Sequence, residues 1–188
     1  WIVHNNFINK FYFIDKFEKN NIKNLDKKTS IVYRNYNNKL NTEEILKIRN
    51  ICKQKRIKFY FANNLKLAIK YKSDGLYIPS FNSSTLTKGK IFKKNFEVLG
   101  SAHNIKEIRQ KEKQGVTKLF ISSIFKKNKN YLGINKFKIL KSYTAQKVIA
   151  LGGINKKNLK TLNELNLYGF AGISYFKKKN PSNKWGGF

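Results

Sequence analysis

Gly152-Gly153 and Ser174 are small residues that let a ligand reach the backbone, and each follows a short apolar run. The first run is Val148-Ile149-Ala150-Leu151 and the second is Gly169-Phe170-Ala171-Gly172-Ile173. Neither alternates, as expected of strands buried on both faces of a parallel sheet. The stretch between them, Asn155 to Asn166, reads as one helix. Two such turns in succession, each beside a helix N-terminus, are how the last two strands of a (β/α)8 barrel hold a phosphate with backbone N–H groups. A tight strand-to-helix turn is the competing explanation of the glycine pair. The recurrence of a small polar residue at Ser174 favours the anion.

Other residues that follow apolar runs extend the same chemistry. Arg34 is one of four arginines, and its planar fork suits a phosphate better than lysine does; a surface ion pair is the alternative. His103 stands two residues past Ser101, where an imidazole could act as general acid or base, or merely cap the next helix. Asn63-Asn64 could bind the edge of a polar ring or start the helix that follows. Lys126, Lys127 and Lys129 form a basic loop after another run, where a diphosphate could be neutralised. Together with Asp15, Ser80, Ser122, Ser123 and Gly172, the set is rich in donors and poor in acids. It suits a phosphorylated ligand better than a di-metal hydrolase.

Eight strands must position these groups. They are expected at Phe11–Asp15, Thr29–Tyr33, Lys58–Ala62, Gly75–Ile78, Glu97–Ser101, Lys118–Ser122 and the two runs above. Pro79 stops the fourth, since proline cannot donate to a central ladder. Asn41 caps a helix with Glu44 at its third position, and Ile45, Ile48 and Cys52 give that helix one apolar face. Further helices are expected at Leu65–Tyr71, at Asn104–Gln114 with Gly115 as its stop, and at Asn135–Tyr143. Ser80–Asn95 reads as a short helix or a loop. Alternation of this kind specifies a parallel α/β fold, and eight units favour a compact TIM barrel forming a single domain over residues 1–188. The runner-up, an open doubly wound sheet, usually has its glycine turn after the first strand; here Asp15-Lys16-Phe17 follows it.

Composition narrows the class. The 188 residues are 40% hydrophobic, enough for a real core. No apolar run approaches the ~18–20 residues of a membrane span. The opening Trp1-Ile2-Val3-His4-Asn5-Asn6 lacks the blocks of a signal peptide, and His4 lies outside the first strand. A lone Cys52 rules out an internal disulfide and a Cys-based zinc site, so a cytoplasmic protein is expected. The net charge of +30 invites a nucleic-acid reading. Its lysines, however, run from Lys10 to Lys184 without forming one stripe, so no specific nucleic-acid partner is expected.

Four segments in order resemble the thiamine-phosphate synthase/TenI family. They are Ser101-Ala102-His103 before an acidic helix, Ser123-Ile124-Phe125 with Leu132-Gly133, Ala150-Leu151-Gly152-Gly153-Ile154, and Gly169 to Ser174. The resemblance runs from about Phe11 to Phe176. It implies that Gly152, Gly153, Gly172 and Ser174 bind a thiazole phosphate, and that Arg34 meets the diphosphate of a pyrimidine substrate. It implies that Asn63 matches the asparagine of the family's N-D pair and that His103 matches the histidine of thiazole tautomerisation; Ser101, Ser123, Lys126 and Lys129 are expected to bind substrate as well, although Lys126-Lys127-Asn128-Lys129 replaces the family's T-x-T-K loop. The departures are specific. Val32 and Tyr36 stand where the synthase pattern has Gln and Lys, and Asn64 and Asn82 stand at or beside its magnesium-binding aspartates. Magnesium needs hard anionic oxygens, so the cofactor that the resemblance implies lacks its usual ligands here. Two activities follow: coupling of thiazole phosphate to hydroxymethylpyrimidine diphosphate, or thiazole tautomerisation. A non-catalytic phosphate-binding barrel is the third reading. Oligomeric state is not legible.

Overall fold

A computed structural model describes residues 9–36, 41–85, 87 and 92–176. Its strands are β1 (Asn9–Ile14), β2 (Thr29–Tyr33), β3 (Phe59–Ala62), β4 (Gly75–Ile78), β5 (Glu97–Ala102), β6 (Lys118–Ser122), β7 (Lys147–Leu151) and β8 (Gly169–Gly172). Every neighbouring pair is parallel, and β8 pairs with β1 through Asn9 opposite Gly169, which closes an eight-stranded barrel. The helices outside it are α1 (Lys19–Lys23), α2 (Thr42–Lys55), α3 (Leu65–Lys70), α4 (Ile105–Lys113), α5 (Gly133–Ser142) and α6 (Leu159–Asn163).

The strands are buried on both faces, which is why their sequences do not alternate. Phe11, Phe13, Val32, Tyr60, Tyr77, Leu99, Phe120 and Ile149 point into the lumen. Tyr12, Ile14, Ile31, Tyr33, Leu119 and Ile121 pack outward against the helices. Aromatic rings fill the lumen edge to face: Phe120 lies 5.1 Å from Phe11 and 5.4 Å from Tyr77, and Phe13 lies 5.1 Å from Tyr77. That geometry is preferred by ring quadrupoles and leaves the interior solid rather than a pore.

Asparagine starts four of the helical segments. The side chains of Asn41, Asn64, Asn104 and Asn155 accept from Glu44, Leu67, Glu107 and Lys157 N–H groups. Each satisfies a donor that the first helical turn leaves without a partner. Three features differ from the sequence expectation. Helix α1 is additional; only Ile22 of its five residues is buried, so it shows no apolar period. The single helix expected over Asn155–Asn166 is a 3-10 turn, Lys156–Asn158, followed by the short α6, because the Asn158 side chain bonds back to the Asn155 N–H at 3.0 Å and tightens the turn. The Glu44 carboxylate accepts from the Phe17 N–H, which ties the loop after β1 to α2. The described parts of Ser80–Asn95 contain neither helix nor strand. His4 lies outside the described residues.

Candidate functional site

The C-terminal strand ends form one rim, and all the sequence-selected residues lie on it or just below it. Arg34 follows β2, where its N–H donates to the Ile14 carbonyl at 2.7 Å and its guanidinium sits 4.9 Å from the Phe13 ring centroid. No carboxylate pairs with it among the described residues. Below it, burial pushes the Tyr77 hydroxyl up from its usual range, while a hydrogen bond to Ser101 and the Arg34 charge act the other way. Arg34, Phe13, Tyr77 and Ser101 therefore share one mouth. Beside them a cleft of about 120 Å3 is lined by Tyr12, Ile14, Asp15, Glu18 and Ile173 as well as Phe13 and Arg34. Tyr36 and Phe81, both exposed, meet edge to face at 5.7 Å between the loops after β2 and β4.

Asn63 and Asn64 have separate roles. Asn63 takes φ +59°, and its N–H donates to the Tyr77 carbonyl at 2.8 Å. Its side-chain oxygen accepts from the Asn82 amide at 2.6 Å. Asn64 is exposed and occupied as the α3 cap, with its oxygen 3.0 Å from the Leu67 N–H. Thus the two amides in the neighbourhood expected to hold magnesium already have their oxygens engaged. Among the described residues no three His, Cys, Asp or Glu side chains come together. The neutral amides at these positions are poor ligands for a magnesium ion, which prefers anionic oxygens.

His103 is held by Glu107. One carboxylate oxygen accepts the His103 backbone N–H at 2.7 Å and lies 3.0 Å from the ring Nδ1; the other accepts from the Asn104 amide at 3.0 Å. A carboxylate on Nδ1 fixes ring orientation and favours the tautomer with a bare Nε2. The expectation of a structural histidine and that of an acid/base are both compatible with this pairing.

The glycine pair packs against the loop after β6. Gly152 and Gly153 take φ +106° and +75°, and added Cβ atoms would lie 2.3 Å from Ser123 Oγ and 2.6 Å from the Lys126 nitrogen. The Gly152 carbonyl accepts from Phe125 N–H at 2.9 Å, and Ser123 Oγ donates to the Lys126 carbonyl at 2.9 Å. Close approach of two loops therefore requires glycine here independently of any ligand. The turn after β8 adjoins: at Gly172 a Cβ would be 3.7 Å from the Ile154 carbonyl oxygen and 3.6 Å from Tyr175 Cβ. Ser174 is exposed, and among the described residues neither its hydroxyl nor the N–H groups of Gly153 and Ser174 have a protein acceptor. The loops after β6, β7 and β8 carry Lys126, Lys127, Lys129, Lys156 and Lys157 and no acid among the described residues. All five lysines are exposed.

Sequence reasoning missed Tyr77, Glu107 and the Tyr36–Phe81 pair. Tyr77 has inward parity near the end of its strand, which was a usable signal. The other contacts join elements distant in sequence or depend on rotamers.

The barrel has counterparts among known proteins. A family model described as thiamine monophosphate synthase matches residues 20–176. A thiamine-phosphate synthase of Methanococcus vannielii is 30% identical over 142 residues, which cover 71% of this chain and 67% of that protein. Another, from Prochlorococcus marinus, is 30% identical over 130 residues, 67% of this chain but 37% of the relative. Among solved structures, a thiamine phosphate pyrophosphorylase from Pyrococcus furiosus superposes with a TM-score of 0.75 at 21% identity, covering 90% of this chain and 87% of that one, which shows the shared barrel. With most of its length matched by the family model, the chain belongs to the thiamine monophosphate synthase family.

Proposed function

We propose that this barrel works in thiamine biosynthesis, binds a thiazole phosphate between the β7 and β8 turns, and couples it to hydroxymethylpyrimidine diphosphate. The observation that carries the reading is the adjoining pair of turns, with the Gly153 and Ser174 N–H groups lacking protein acceptors in an acid-free, lysine-bearing sector. Backbone N–H groups of this kind form anion-binding concavities. In the coupling, the thiazole nitrogen attacks the pyrimidine methylene carbon as the carbon–oxygen bond to diphosphate breaks, and diphosphate leaves with the bonding pair. Arg34 and the Lys126 and Lys129 ammonium groups are the cations available to offset the charge on the leaving group. Tyr36 and Phe81, both exposed, offer apolar ring surface at the same mouth. Among the described residues no helix is long and apolar enough to cross a membrane.

The experiment is direct. Purified protein is incubated with both substrates, with and without magnesium, and scored for thiamine phosphate and diphosphate. Turnover dependent on both substrates supports the reading; binding of thiazole phosphate with no product under either condition rejects the coupling. The His103–Glu107 pair supports a second reading, a thiazole tautomerase with His103 moving the proton. His103→Ala should then cost ~10²–10⁴-fold in tautomerisation while leaving thiazole-phosphate affinity in place. Equal tautomerisation rates in the two proteins would remove His103 from that role.

A further inference from the structure

The segment after β4 has no regular structure in its described part, yet it carries Asn82, the partner of Asn63. We propose that Lys111 of α4 is a positioning residue that clamps this loop from inside the protein wall and so holds the Asn63–Asn82 pair at the mouth. The consequence for ligand affinity rests on the phosphorylated-ligand reading of the rim; the clamp itself does not.

Lys111 is fully buried. Its Nζ donates to the Asn82 carbonyl at 2.6 Å and to Gln114 Oε1 at 2.9 Å. Gln114 Nε2 in turn donates to the carbonyls of Asn82 at 3.0 Å and Ser84 at 2.6 Å. Gln110 Nε2 reaches the Ser83 carbonyl at 2.9 Å, and the Thr87 hydroxyl donates to the Gln114 carbonyl at 2.7 Å. A loop without a ladder must satisfy its carbonyls by other means, and α4 with its C-terminal cap does so through the side chains of Gln110, Lys111 and Gln114. The Asn82 side chain passes the constraint on: its oxygen accepts from the Ser84 N–H at 2.7 Å and its amide donates to Asn63 at 2.6 Å. The lysine stem crosses β5 at Gly100, where a Cβ would lie 3.0 Å from Lys111 Cδ.

The cage is neutral. No carboxylate bonds to Nζ among the described residues, and the charged group acting on it is Glu107, one turn earlier on α4. Asn82 of the loop meets Nζ, and Gly100 of β5 lies against the stem with Val116 beside it, while Ser84 and Thr87 bond to the neighbouring Gln114. Burial holds the ammonium down at about 8 rather than 10.5. Opening the loop returns Lys111 to water and to the ordinary value. Between those two pH values the open form therefore binds more protons, and the closed loop gains on the open one as pH rises, by about tenfold per pH unit.

The test compares wild type, Lys111→Met and Gln114→Leu. The readouts are amide exchange in residues 82–85, corrected for the intrinsic pH effect, and affinity for inorganic diphosphate. Methionine keeps the volume and removes a buried charge, a change that is often neutral or stabilising overall. The expected result is an unchanged or higher melting temperature with exchange in the loop raised at least tenfold and diphosphate affinity lowered about tenfold. Wild type, but not Lys111→Met, should gain loop protection between pH 8 and 10. If Lys111→Met does not fold, Gln114→Leu, which removes donors to the same carbonyls, reads the loop instead. Loop exchange like wild type in a folded variant, or a wild-type loop whose protection ignores pH in that window, overturns the clamp. If wild type fails to bind diphosphate, the rim reading fails while loop exchange still decides the clamp.

Discussion

The two ends of the barrel treat charge in opposite ways. At the N-terminal end, Glu97 opens β5 and accepts from Lys58 Nζ at 2.6 Å, from Lys118 Nζ at 2.6 Å and from the Tyr60 hydroxyl. Lys10 pairs with Asp26 at 2.5 Å, and Asp74 accepts the Phe59 N–H at 2.8 Å. At the C-terminal rim, the acids of the loop after β1 and the His103 partner Glu107 stand four strands apart, on opposite sides of the mouth. The loops after β6 to β8 offer only lysines, amides and backbone N–H groups among the described residues. A chain with 10 acids against 40 basic residues has few carboxylates to place. Where cation and carboxylate meet, the contact closes the barrel. Where the carboxylate is missing, an anion from solution can take its place. The comparison separates stability from binding, and substitutions at the two ends should separate them too.

The largest effect is expected at the rim. Ser174→Asp puts a carboxylate where the phosphate is proposed to sit. At ~4 Å and an effective dielectric of ~20, two like charges repel by about 4 kcal/mol, close to a thousandfold in affinity. Titration with thiazole phosphate should show binding lost, while thermal unfolding stays within about 0.5 kcal/mol because the side chain is exposed. Gly153→Asp is a poorer test, since its Cβ would strike the Lys126 nitrogen at 2.6 Å and disturb both loops. Wild-type affinity in Ser174→Asp would move the anion site elsewhere.

Glu97→Gln should do the reverse. Lys118 keeps only 8% side-chain exposure and would lose its carboxylate. Breaking such a pair costs about 3 kcal/mol, or a fall in melting temperature of roughly 6–12 °C at this chain length. Phosphate affinity should not change. The same residue sets an acid limb. Its two lysines and Tyr60 hold the Glu97 carboxyl down at about 2 from 4.5, against the opposing effect of burial. The folded state therefore favours the ionised form. That contribution, roughly 3 kcal/mol, is present above pH 4.5 and is lost as pH falls from there toward 2. Unfolding measured across that window should steepen in wild type relative to Glu97→Gln. Parallel curves would mean that the cluster is too solvated to matter.

Burial explains what could be read from the sequence. Strands such as Ile31-Val32-Tyr33 and Leu119-Phe120-Ile121 are covered on both sides, so their apolar runs are unbroken and their ends locate the rim. Helix α1 buries only Ile22 and leaves no period to detect. At Asn63-Asn64 two identical residues are divided by backbone conformation, φ +59° at the first and a capping geometry at the second, which spacing alone does not encode. Lys111 is one lysine among many in the sequence, and only the packing at Gly100 shows that it is buried. The glycine pair was legible as a tight turn. Its contact with Ser123 and Lys126 was not, because that depends on how two loops meet.

The smallest effect tests whether the rim can be moved toward the chemistry of the lower end. Asn64→Asp keeps an oxygen for the Leu67 N–H, and aspartate caps helices as well as asparagine does, so its stability cost is a few tenths of a kcal/mol. Asn82→Asp loses the amide that donates to Asn63, but it can still accept the Ser84 N–H. Rotation of the Asn63 side-chain amide turns its own NH2 group toward the new carboxylate and restores one bond, so the net cost is about 1 kcal/mol or less. The double variant should then unfold within a few degrees of wild type. What changes is the sign of the local charge, from two neutral amides to two anionic oxygens beside Arg34's side of the mouth. Affinity for inorganic diphosphate should fall without magnesium, through repulsion, and recover when magnesium is added, whereas wild type should respond less to the metal. A double variant whose diphosphate affinity ignores magnesium would show that the rim geometry, and not the missing acids, excludes the ion.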